Sequence, residues 1–146
     1  MKKIFIALFT LAVAVTSHAQ RDLWLRANAI SPDGSKIVFS YHGNLFIVPS
    51  SGGQARQLTS NSNYDSYPVW SPDGKSIAFS SDRLGGFDVF LISERGGTPK
   101  RLTTHSANEY VEAFLPDGRI LYTSLYTPTA EDGVFPGNYT QVYSTD

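Results

Sequence analysis

His42 and His105 are the two histidines outside the N-terminal leader. Imidazole beside a hydroxyl and a carboxylate is the chemistry of a serine hydrolase, and the chain has many serines and aspartates to complete a triad. No nucleophile elbow and no paired histidine spacing supports one, so both read as exposed loop residues. Asn61, Asn63 and Asp65 imitate the start of a calcium loop. Such a loop needs Gly at its sixth position and Glu at its twelfth, where this chain has Ser66 and Pro72, so the segment reads as turn chemistry. Asp82-Arg83 reads as a pair organising a strand connection, and Tyr67 and Trp70 as packing between repeat units. Asn138-Tyr139-Thr140 matches a glycosylation sequon, a three-residue pattern of low specificity. Cysteine is absent, which excludes a disulfide framework, a thiolate zinc site and a cysteine nucleophile. The expectation for this chain is no catalytic residue, no metal ligand and no cofactor.

The elements that carry these residues begin after an address. Lys2 and Lys3 precede an apolar run, Ile4 to Val15, interrupted by Thr10, and Ser17-His18-Ala19 sets small residues before a cut between Ala19 and Gln20. Twelve residues are too few for the roughly 30 Å of hydrocarbon that takes about 20 residues to cross. Residues 1–19 therefore read as a cleaved signal peptide and the mature chain as periplasmic or secreted. Loss of both lysines takes the formal charge from −1 to about −3. That balance carries no nucleic-acid footprint and no polybasic membrane patch.

The strongest signal in the mature chain is an internal repeat. Ala29-Ile30-Ser31-Pro32-Asp33-Gly34 recurs as Val69-Trp70-Ser71-Pro72-Asp73-Gly74 and as Ala113-Phe114-Leu115-Pro116-Asp117-Gly118, the prolines spaced by 40 and then 44 residues. Asn44–Val48, Gly52-Gly53 and Gln57-Leu58-Thr59 return as Asp88–Ile92, Gly96-Gly97 and Arg101-Leu102-Thr103, each offset by 44. Two half-motifs keeping one offset define a single unit.

Each unit reads as four strands. The first ends at the Pro-Asp-Gly turn, where Pro presets φ, Asp bonds locally and Gly accepts a positive φ. The second covers Lys36–Tyr41, Ser76–Ser80 or Arg119–Thr123, and the third ends in the Gly-Gly turn. The fourth carries Arg56, or Lys100 and Arg101, as suits a solvated edge. Ile37-Val38-Phe39, Ile77-Ala78-Phe79 and Ile120-Leu121-Tyr122 are apolar on both faces, which fits sheets covered on both sides. A four-stranded repeat of about 40–45 residues is the propeller period. The predicted fold is all-β: an incomplete β-propeller in residues 20–146, with blade 1 at about 27–59, blade 2 at about 67–103 and blade 3 at about 111–146. Propellers close with roughly four to eight blades, so the chain is expected to be the N-terminal part of a longer protein.

The Ser-Pro-Asp-Gly, Ile-x-Phe, Gly-Gly and Leu-Thr unit resembles the WD-like propeller repeat of the Tol-system translocation protein and of tricorn-like proteases, over about Ala27 to Tyr143. A repeat starting some ten residues after the cut is similar to secreted tricorn-like serine proteases, whereas the Tol protein carries an α/β domain first. That resemblance implies a parent enzyme in which propellers precede a PDZ-like domain and a serine-peptidase core. Its catalytic Ser and His would lie beyond residue 146, so none is carried over onto this chain. Prolyl-oligopeptidases, whose propeller caps an α/β-hydrolase, are a third resemblance. Leu115 departs from the motif's Ser.

In an up-and-down blade alternate connections emerge at opposite ends. Pro32, Asp33, Gly34, Pro72, Asp73, Gly74, Pro116, Asp117 and Gly118 are thereby turn residues at one end, with the Gly-Gly turns. The other end carries connections of varied length, among them an insertion from Ser124 to Asn138 of about 15 residues. Glu131, Asp132 and Phe135 within it are the candidate contact residues, since loops this long are usually functional or disordered. The partners this implies are peptide or protein substrates met through the parent enzyme, with no nucleic acid, no membrane after signal cleavage, and a homo-oligomer left open.

Overall fold

A computed structural model describes residues 25–126 and 139–145. Eleven strands and no helix occur among them: β1 (Leu25–Ile30), β2 (Lys36–Tyr41), β3 (Asn44–Pro49), β4 (Arg56–Gln57), β5 (Asp65–Trp70), β6 (Ser76–Ser81), β7 (Asp88–Ser93), β8 (Lys100–Arg101), β9 (Glu109–Phe114), β10 (Ile120–Tyr126) and β11 (Tyr139–Thr145). They form antiparallel sheets in the order β1-β2-β3-β4, β5-β6-β7-β8 and β9-β10-β11, one per repeat. We call these blades 1, 2 and 3.

Each blade is built from local turn chemistry. In the first turn Gly34 N–H donates to the Ser31 carbonyl at 2.8 Å, and Gly34 has φ +72°. The Ser31 hydroxyl donates to Asp33 Oδ1 at 2.6 Å and accepts from Lys36 N–H at 2.9 Å, while Ser35 N–H donates to the same Asp33 oxygen. Ser71 and Asp73 repeat this arrangement. At the third turn Leu115 has no hydroxyl, and Arg119 takes over, donating to Asp117 through both its backbone N–H and Nε. The Leu-Thr motif has an equally local meaning. The Thr59 hydroxyl accepts from Leu45 N–H, and Thr103 does the same for Val89, so the two-residue outer strands are pinned where their own ladder has ended.

Blade stacking forms the core. One face of blade 1 (Val38, Leu45, Ile47, Leu58) packs on Trp70, Ile77, Phe79, Phe90 and Ile92 of blade 2. The reverse face of blade 2, through Ala78 and Val89, packs on Val111 and Ile120 of blade 3. Blade 2 is thus covered on both sides, and five of the six residues of β6 are buried. The outer face of blade 1 offers Ile30, the counterpart of Trp70, at 61% exposed. Trp70 itself is buried and donates its indole N–H to the Ala29 carbonyl at 3.1 Å. A cross-strand aromatic pair stacks in every blade: Phe39 on Phe46, Phe79 on Phe90, and Tyr122 on Tyr143, with centroids 5.6–5.9 Å apart.

Backbone bonds repeat between blades as well. Asp65 N–H donates to the Gly43 carbonyl and, one repeat on, Glu109 N–H donates to Phe87. At the outer rim Arg56 reaches across to the carbonyls of Glu94 and Arg95, and Lys36 pairs with Glu94. The fourth-strand arginine does more than solvate an edge; it ties that edge to the next blade. Tyr67 makes its interblade contact only at the rim of the join. It lies at a β-bulge with φ +53°, is 49% exposed, and meets Tyr110 of blade 3 edge-on at 5.3 Å. The bulge turns its ring out of the sandwich.

Trp70→Ala is expected to destabilise the full-length protein by about 3–5 kcal/mol, because it removes a buried indole between blades. Denaturant unfolding of the pair checks this, and an unchanged midpoint would place Trp70 outside the core. The turns predict a pH signature. Hydrogen bonds from Ser31 and then Ser35 hold the Asp33 carboxyl at about 2, against an ordinary 3.8. A depressed folded value stabilises above the unfolded pKa, so the contribution is complete above pH 3.8 and is lost as pH falls toward 2. Carboxyl NMR titration should find Asp33 near 2 and, in Ser31→Ala, nearer its ordinary value.

Candidate binding face

Because successive strands run antiparallel, the connections alternate between two ends. At the tight end the first two Pro-Asp-Gly turns lie side by side, around a depression of about 200 Å³ lined by Pro32, Asp33, Lys36, Pro72, Asp73 and Gly74. Pro116, Asp117 and Gly118 form the equivalent turn of blade 3. These residues serve the turns themselves. Hydrogen bonds from Ser71 and from the Arg119 backbone hold the carboxyls of Asp73 and Asp117 below the ordinary range.

The other end is chemically richer. His42 and Gly43 both have positive φ in the turn from β2 to β3, and a side chain at Gly43 would meet the Asn63 carbonyl at 2.8 Å. His105 is exposed in the connection from β8 to β9. The two histidines stand in loops of different blades. Tyr64, Phe87, Tyr110 and Tyr67 form a row of ring contacts 5.2–6.5 Å apart, with Tyr64 and Tyr67 substantially exposed. Exposed rings on a rigid sheet are suited to contact with a partner at low cost in conformational entropy.

Two buried ion pairs support this end. Asp65, fully buried, accepts from Arg83 Nη2 at 2.9 Å and from Asn61 Nδ2 at 2.8 Å. The resemblance to a calcium loop dissolves here, since the Asp65 carboxylate is committed to a guanidinium and an amide. Arg83 Nε also donates to Ser81, and its guanidinium lies 4.6 Å from the Phe90 centroid and 5.4 Å from that of Phe79. Asp82 caps Tyr64 N–H at 2.7 Å, so Asp82-Arg83 organises the connection as the sequence implied. The second pair joins Arg101 to Asp88 at 2.8 Å.

Blade 3 departs from the pattern. Its second strand runs to Tyr126 and pairs there with Tyr139, so Ser124, Leu125 and Tyr126 belong to β10 and not to the insertion. Glu131, Asp132 and Phe135 lie outside the described residues. Sequence reasoning missed Glu109. The residue is 2% exposed and lines a cavity of about 190 Å³ with His105, Tyr122, Ser124 and Tyr143. Burial pushes the Glu109 carboxyl above its ordinary range, opposed by a hydrogen bond from Thr103. The charge of Asp88 adds to the rise, and His105 and Arg101 oppose it. The signal was available in the repeat, because Glu109 stands 44 residues after Asp65.

Two four-stranded antiparallel sheets and a three-stranded one, stacked and each one repeat long, define a segment of a β-propeller. Residues 22–143 match the family described as the tricorn protease N-terminal β-propeller domain, and the chain belongs to that family. It is 40% identical over 47 residues to the Tol-Pal system protein TolB of Bordetella pertussis, covering 32% of this chain and 11% of that protein. Among solved structures it resembles a putative TolB from Agrobacterium tumefaciens at 28% identity and a TM-score of 0.64, covering 81% of this chain and 41% of that one. It also resembles the tricorn protease at 25% identity and a TM-score of 0.60, covering 68% and 11% respectively. The chain therefore spans well under half the length of each of these relatives.

Arg83→Ala should cost about 3–5 kcal/mol, since it leaves Asp65 buried and uncompensated. Replacing both partners by apolar residues, Asp65→Leu with Arg83→Met, should recover most of that loss in the same unfolding measurement. Equal losses in the single and double variants would refute the pairing argument.

Proposed function

We propose that this chain is the propeller domain of an exported tricorn-like serine peptidase, where it acts as a scaffold and substrate gate while catalysis takes place outside these residues. The observation that carries the reading is the family match across residues 22–143. The geometry supports it through a division of labour between the ends. Self-satisfied turns occupy one end, while half-exposed aromatic rings, ion pairs on buried carboxylates and the cavity at Glu109 gather at the other. A peptide approaching the loop end would meet rings and hydroxyls on a frame that blade stacking keeps rigid. In this reading residues 1–19 direct export and the mature protein starts at Gln20. The connection with Glu131, Asp132 and Phe135 would contact the incoming peptide or the rest of the parent protein.

A second reading is a non-enzymatic Tol-type propeller that binds protein partners. The 40% identity over 47 residues and the structural likeness to a putative TolB favour it. Labelling the full-length protein with a fluorophosphonate, followed by peptide mapping, separates the two. The peptidase reading expects one reactive serine outside residues 20–146 and hydrolysis of unstructured peptides that the label abolishes. A full-length protein with neither would replace it with the partner-binding reading.

A further inference from the structure

The Oε2 atom of Glu109 is buried with no hydrogen-bond partner, and the residue lines the cavity between blades 2 and 3. The carboxyl accepts a hydrogen bond from Thr103, but a carboxylate oxygen taken out of water without one is costly, so its surroundings indicate what it is built to meet. The repeat supplies the comparison. One blade earlier, Asp65 stands for Glu109, Asn61 for His105, Ser81 for Ser124, and the stacked Phe79 and Phe90 for Tyr122 and Tyr143. Those five side chains form the box around the Arg83 guanidinium and its carboxylate. Every wall of the box has its counterpart around the cavity. Among the described residues no guanidinium donates to Glu109 as Arg83 does to Asp65.

The reason lies in the strand connections. Two residues past Ser81 the chain has left β6 and presents Arg83, whereas two residues past Ser124 stands Tyr126, still within β10. Residues 127–138 include Glu131 and Asp132 but no Lys, Arg or His. Of the cations near Glu109, Arg101 is engaged with Asp88 through Nη2, its buried Nε making no hydrogen bond, and His105 lines the cavity as one of its walls; neither donates to Oε2. At about 190 Å³ the cavity is smaller than the roughly 300 Å³ at which sites for whole drug-sized ligands begin, and suits a single side-chain head group.

We propose that this cavity is a subsite for the guanidinium of an arginine on a docking peptide or protein, paired with Glu109 and stacked on the Tyr122 and Tyr143 rings. A planar guanidinium fits both features at once. Its fork donates to carboxylate and hydroxyl oxygens, and its face lies against aromatic rings, where a compact ammonium does neither as well. The proposal stands on the cavity and the repeat, and holds whether the parent is a peptidase or a partner-binding propeller.

Calorimetric titration of the full-length protein with Nα-acetylarginine amide tests it, with the lysine and citrulline amides as comparisons. Arginine amide should bind saturably with a dissociation constant on the order of millimolar, lysine amide more weakly, and neutral citrulline amide not measurably. Glu109→Gln should weaken arginine amide by about tenfold or more while its melting temperature stays at or above the parental value. Equal binding of citrulline and arginine, equal binding of lysine and arginine, no saturable binding of arginine, or full affinity in Glu109→Gln would each overturn the assignment. Should that variant not fold, the arginine and citrulline comparison on the unaltered protein still decides.

Discussion

A four-stranded sheet with apolar side chains on both faces has no stable existence in water by itself, and the structure follows from that constraint. Blade 2 meets it on both sides, with Ile77 and Phe79 turned toward blade 1 and Ala78 and Val89 toward blade 3. The two faces differ in kind. One carries large aromatic and β-branched residues, the other smaller aliphatic ones, so successive blades fit large against small and the same join is made twice. Repeats of this sort draw much of their stability from nearest-neighbour contacts. The exposed Ile30 on the outer face of blade 1 occupies the position where Trp70 is buried one blade later. That face has the chemistry of a blade partner.

Polar groups at the loop end follow from the same stacking. Bringing inner strands together buries Asp65 and Asp88, and each is matched by an arginine from its own blade. Buried ion pairs add little net stability when measured against apolar replacements, but an unmatched charge is costly, so pairing fixes which rotamers and loop paths are tolerated. The connection after β6 is held in this way. Arg83 reaches Asp65 and Ser81, Asp82 caps Tyr64, and the loop has little freedom left.

Blade 3 is where the repeat is relaxed. Leu115 replaces the turn serine, tyrosines replace the stacked phenylalanines, β10 runs longer, and among the described residues no arginine hydrogen-bonds Glu109. Places where a sequence breaks its own local rules are the places to expect function, because stability alone gives no reason to break them. The half-exposed aromatic row runs through Tyr110 of this blade, so the contact surface and the divergent blade share one region.

The sequence by itself determined the class, the repeat length, the turns and nearly every strand. Each of those depends on neighbours within a few residues: Asp33 bonding Ser31 and Ser35, glycines taking positive φ, the unbroken apolar run Ile37–Phe39. It could not say which apolar residue meets which across a blade join. Tyr67 and Trp70 looked alike in the sequence, yet a bulge turned Tyr67 outward and left Trp70 buried. Nor could it show where β10 ends, because pairing with β11 extends that strand through Tyr126 against any local turn preference. Glu109 was legible as a carboxylate at a repeat position. Only the tertiary structure decided that this carboxyl is buried, ringed by the counterparts of the Arg83 box, with its Oε2 atom left without a hydrogen bond. Burial and partnership are set by residues of three strands and of the connection between β8 and β9, and no local window of sequence contains them.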